Sequence, residues 1–169
     1  MTAPLKYIQH YPLALQEKVR RMQENNKLGD YITARYPLNH TINTDKSLYA
    51  YANDIKHTYL RNAPLLDKVH YDNRLTIDNH ALGLNTAISR VQGGKLKAKK
   101  EISISSFFKT CPIEFLNMIV VHELAHLKER DHNKAFYQLC TYMSPDYHQL
   151  EFDCRVYLLW KTTCYISDV

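Results

Sequence analysis

Glycine is scarce in this chain of 169 residues, with four in all, at positions 29, 83, 93 and 94. Few positions turn freely, so regular structure should dominate over loops. No Cys-x-x-Cys pair occurs. Cys111, Cys140, Cys154 and Cys164 lie far apart, which argues against a zinc ribbon or a dithiol redox site. Long apolar runs are missing too. The longest stretches, such as 119–121 and 156–160, fall far short of a membrane span, so no membrane partner is expected. The first residues lack the charged-then-apolar order of a secretory leader. The cysteines therefore read as reduced, mostly buried thiols of a cytoplasmic protein. Neither sign of charge dominates: 22 basic and 17 acidic residues give +5, which permits a nucleic-acid partner without predicting one.

What is present is an ordinary globular composition, 45% hydrophobic and 23% charged, with no repeat, low-complexity tract or linker. A single domain over 1–169 is expected, with a helical N-terminal part over 1–62 and a core over 63–169. Pro12 opens a helix over 12–28, for which Gly29 supplies a stop. A second helix over 47–61 follows Thr44 and Asp45 as capping residues, and Pro64 ends it.

The middle third changes period. Residues 66–71 suit a strand, and 81–91 and 95–105 flank Gly93-Gly94 as the arms of a hairpin. In the second arm Leu96, Ala98, Ile102 and Ile104 share one face, while Lys95, Lys97, Lys99, Glu101 and Ser103 share the other. That alternation suits a half-buried strand, with the lysines protecting a sheet edge. From Pro112 the chain is helical again, through an almost continuous apolar run to Leu127 that marks a central helix. Further helices are expected over 135–143 and 146–160.

Within the central helix stands His122-Glu123-Leu124-Ala125-His126. Spacing of four places both imidazoles on one face, one turn apart, where they can chelate one zinc ion. Glu123 can lie beside the metal without ligating it, take a proton from the attacking water and pass it to the leaving group. Two histidines and a carboxylate on an apolar helix would be costly without such a partner.

A catalytic zinc takes three protein ligands. His132 is the natural third if the helix ends near Glu129 or Arg130, with Asp131 and Asn133 supporting the turn. Glu151, on the last helix, is the competing third ligand. The lack of a glycine between His126 and His132 disfavours the metzincin pattern. Tyr147, His148 and Arg155 are candidate donors to a transition state, Tyr147 first. Asp153 is a candidate acceptor for a ligand imidazole. The histidines at 10, 40, 57, 70 and 80 have no ligand spacing and read as ordinary polar positions.

The run from His122 through His132 to Phe136 resembles the YgjP-like metallopeptidases, relatives of the SprT-like and WLM proteases. Val120-Val121 before the motif and Phe136-Tyr137 after it fit as well. In place of the Trp-Gly-Ser segment common ahead of that motif stand residues 89–94. The resemblance implies an α+β, minimal zincin-like fold, in which a small sheet containing the hairpin packs on an active-site helix. It also implies His122, His126 and His132 as metal ligands and Glu123 as base. A zinc metallopeptidase acting on a peptide or protein substrate is expected, the peptide adding as a strand to the hairpin edge. The alternatives are zinc-dependent hydrolysis of a nucleotide phosphoanhydride, or a non-catalytic domain stabilised by zinc.

Overall fold

The computed structural model describes residues 5–75, 89–93 and 100–167, with side chains left aside at 89–93 and 165–167. Its described elements run α1 (Leu13–Glu24), α2 (Leu28–Arg35), α3 (Asp45–Tyr59), β1 (Lys68–Asp72), β2 (Ser89–Gly93), β3 (Lys100–Ser105), a short 3-10 turn (Ser106–Thr110), α4 (Ile113–Ala125), α5 (Lys134–Met143) and α6 (Tyr147–Ser167). The architecture is α+β, as the sequence led us to expect. Among the described residues no helix is long and apolar enough to cross a membrane.

Helix α4 is the centre of the molecule. Every residue from Met118 to Ala125 is buried, which is why its sequence is apolar all round rather than on one stripe. Pro112 caps it, one position earlier than a first helical residue, and Glu114 lies in its first turn. The sheet packs on one side of α4, and α5 and α6 pack on others.

The sheet is mixed, in the order β1-β3-β2, with β1 parallel and β2 antiparallel to β3. The two hairpin arms thus pair as expected, Val91 opposite Ile102 and Gly93 opposite Lys100. The turn itself, with Lys95, Lys97 and Lys99, lies outside the described residues. One expectation is overturned: β3 is the central strand, not an edge. Ser103 and Ser105 are buried along with Ile102 and Ile104, because β3 is covered on both faces. The small polar residues are tolerated because each finds a partner. Ser105 donates to the Leu75 carbonyl at 2.8 Å, and Ser103 meets His70 Nε2 at 3.3 Å.

The N-terminal helices differ from expectation at Gly29. It lies inside α2, and the stop falls earlier, at Asn26. That residue adopts φ 53°, while the Lys27 amide donates back to the Met22 carbonyl at 2.7 Å, a Schellman-type ending. Gly29 serves another purpose. A Cβ there would meet the Trp160 ring at 2.8 Å, so its bare backbone lets α2 approach α6. Helix α3 begins as its sequence suggests, with Thr44 and Ser47 forming a reciprocal capping box. Its end comes at Tyr59, before Pro64 is reached.

Candidate metal centre

The regular part of α4 stops at Ala125, sooner than expected, and His126 caps it while still in helical conformation. The one-turn relation of His122 and His126 is therefore kept. Their Nε2 atoms lie 3.2 Å apart. The chain then folds back tightly: the Leu127, Lys128 and Glu129 amides all donate to carbonyls of Leu124 or Ala125. Asn133 closes the turn by capping α5, its side chain accepting from the Phe136 amide at 2.8 Å and donating to Glu129 at 3.3 Å. This return brings His132 Nε2 to 3.0 Å from His126 Nε2.

One ligand atom from each of the three rings lies within 4.8 Å of the other two. A four-coordinate ion with bonds of about 2.0–2.1 Å to nitrogen sets its ligand atoms about 3.3 Å apart, close to the two separations seen. The proton count fits as well. His126 Nδ1 sits 2.9 Å from the Glu129 carbonyl, which can only accept. Nδ1 therefore carries the proton, and Nε2 is a bare lone pair. One lone pair can accept one proton, yet two ring nitrogens face it. A cation at the centre satisfies all three, so the residues present fit a divalent metal.

Electrostatics point the same way. Burial, and beyond it the neighbouring His126 and His132, push the His122 pKa well below its ordinary value. Burial also lowers His126, with the Glu129 carbonyl opposing. Rings held neutral are rings able to ligate. Glu123 is buried, its carboxylate 3.8 Å from the His122 Nε2 that faces the other two histidines.

Tyr147 is fully buried, and its hydroxyl meets His122 Nδ1 at 2.8 Å, on the side of the ring away from the other histidines. It thus supports a ligand ring from behind, where sequence reasoning had placed it first among groups facing a transition state. Burial and the nearby Glu151 carboxylate push its pKa up, so the hydroxyl keeps its proton. Glu151 itself pairs with Arg155 at 3.3 Å, and Arg155 also donates to the Tyr7 carbonyl at 3.1 Å. Both groups are thereby engaged within the interior. His148 is exposed at the surface beside Tyr137.

Asp153 does not accept from a ligand imidazole. It is completely buried and accepts instead from Tyr31 at 2.7 Å, Tyr36 at 2.5 Å and Gln149 at 3.1 Å, with Arg35 3.3 Å away. The His122 and His126 rings instead meet the Tyr147 hydroxyl and the Glu129 carbonyl. His40, read as an ordinary polar position, bridges Phe108 and Ile42, while His80 lies outside the described residues.

Phe136 is the support that residue-level reasoning missed. Its ring is fully buried, with centroids 4.8, 4.6 and 4.8 Å from those of His122, His126 and His132. It forms a shared apolar wall for the three ligands. Its place in the first turn of α5, four residues after His132, was the available signal.

Comparison with known proteins follows this geometry. The YgjP-like family model, described as a metallopeptidase domain, matches residues 9–153. A curated protein of Escherichia coli (strain K12) named "UTP pyrophosphatase" is 56% identical over 154 residues, covering 91% of this chain and 92% of that protein. No solved structure matches at a comparable level.

Proposed function

The chain belongs to the YgjP-like family, and from that premise we propose that it is a zinc-dependent hydrolase splitting a phosphoanhydride of a nucleoside triphosphate. His122, His126 and His132 hold the ion in this reading, and Glu123 is the general base. Three imidazoles with a carboxylate alongside favour zinc over harder cations, which prefer oxygen. The observation that carries the hydrolase reading is the convergence of the three Nε2 atoms beside the buried Glu123. The relative's name and its close identity support a nucleotide over a peptide substrate in this reading.

When bound, the ion supplies Lewis acidity to a phosphoryl oxygen and lowers the pKa of water. The chain's own residues do the rest. Glu123 takes a proton from the attacking water as its oxygen bonds to phosphorus and the bridging P–O bond breaks. It can then return that proton to the leaving phosphate. Tyr147 and the Glu129 carbonyl fix the orientation of two ligand rings, and Phe136 keeps bulk water from their backs.

The test is direct. UTP should be hydrolysed by the zinc-loaded protein and spared by a Glu123→Gln variant that retains stoichiometric zinc. Retained activity would remove Glu123 as the base, and inert wild-type protein would remove the nucleotide reading. Peptide hydrolysis is the second reading, favoured by the metallopeptidase description of the family and by the position of β2 at a sheet edge. Assays on unfolded protein under the same conditions separate the two.

A further inference from the structure

A cleft of about 360 Å³ opens between α1, α2 and the start of α6. One wall is apolar and aromatic, where Tyr11 and Phe152 meet edge to face at 5.1 Å beside Leu15. Polar side chains line the rest of the cleft and are held in place. Tyr31, Arg35 and Gln149 all line the cleft, and all three are fixed by the completely buried Asp153. The Gln149 amide nitrogen donates to Asp153 at 3.1 Å. What Gln149 offers elsewhere is its carbonyl oxygen. Arg35 keeps further N–H donors, and Lys18 adds a second cation.

The cleft is also close to the metal centre. His148 stands in its wall and packs on Tyr137 with ring centroids 5.5 Å apart, and Tyr137 lies 6.4 Å from His132. Two ring contacts therefore separate the cleft from a proposed ligand.

We propose that this cleft receives the nucleoside of the substrate, with the phosphates running past His148 to the three histidines. The inference rests on the nucleotide reading above. The base lies on the Tyr11–Phe152 wall, where stacking is available to any base. The polar side chains beside that surface discriminate. A carbonyl oxygen from Gln149 with N–H donors from Arg35 matches a base edge carrying an N–H flanked by carbonyls, as in uracil. Cytosine presents a bare ring nitrogen there and leaves two acceptors opposed. Lys18 and Arg35 favour the negative charge of the triphosphate.

Two variants of the full chain test this: Leu15→Trp, which fills the cleft from its partly exposed rim, and Gln149→Ala, which removes the base reader. Binding of UMP and CMP is measured by calorimetry, UTP turnover by steady-state kinetics, and folding by melting temperature. Leu15→Trp should weaken UMP binding and raise the KM for UTP by about tenfold or more, with kcat changed less than about threefold. Gln149→Ala should bring the UMP-to-CMP preference towards one. Folded variants that bind both nucleotides as the wild type does would overturn the cleft assignment, as would wild-type protein that binds no UMP. Wild-type protein that binds UMP in a manner sensitive to Leu15→Trp but leaves UTP intact would keep the cleft and sink the hydrolase reading.

Discussion

Two polar clusters lie near the start of α6, and they are built on opposite principles. Around Asp153, one acceptor is met by donors from Tyr31, Tyr36 and Gln149 and by the Arg35 cation. Nothing is left to satisfy, and the cluster ties α2 to α6. Around His126, three ring nitrogens converge, and its Nδ1 is turned to the Glu129 carbonyl. The first cluster is complete within the protein, whereas the second has the geometry to take a cation. A buried polar group that finds partners holds structure, and one that faces its own kind calls for a ligand.

Four substitutions sharpen that contrast. The largest effect is expected from Glu123→Gln. UTP turnover should fall by about 10²–10⁴-fold, with zinc content and melting temperature unchanged. Next, Asp153→Ala should destabilise the fold by about 3 kcal/mol in urea unfolding, because two tyrosines and a cation lose a shared buried partner. Zinc stoichiometry in the folded fraction should not change. If instead zinc is lost while stability holds, the two clusters are not independent.

Tyr147→Phe should weaken zinc binding by about tenfold, measured by competition with a chelator, because His122 loses the partner that orients it. Affinity equal to wild type would show that Tyr147 only packs. The smallest effect is expected from Asn133→Ala, about 1 kcal/mol of stability through loss of the α5 cap. That variant should also loosen the turn presenting His132, read as a modest rise in the zinc dissociation constant.

The sequence made the local cluster legible and hid the distant one. His122, Glu123, His126 and His132 fall within eleven positions, so helical spacing and one turn bring them together. Asp153 is joined to Tyr31 and Tyr36 across more than a hundred residues, and no periodicity reports such a pairing. Asp153, a candidate acceptor for a ligand imidazole in the sequence, takes its donors from Tyr31 and Tyr36 instead. The hairpin was readable from Gly93-Gly94, but the place of β3 was not, since a parallel partner in β1 comes from 33 residues earlier. Gly29 shows a further limit. Its position after the 12–28 pattern suggests a helix stop, whereas its use is to admit Trp160, which only packing reveals.

Helix α6 carries Tyr147 behind the metal site, then Gln149 and Phe152 in the cleft, all within two turns. An α-helix rises about 1.5 Å per residue and barely stretches, so Tyr147 and Phe152 are held about 7.5 Å apart along its axis. On the proposed assignment α6 is a gauge. The span from base to scissile bond is set by the pitch of one rigid rod, and that length selects which P–O–P linkage is presented to the three histidines.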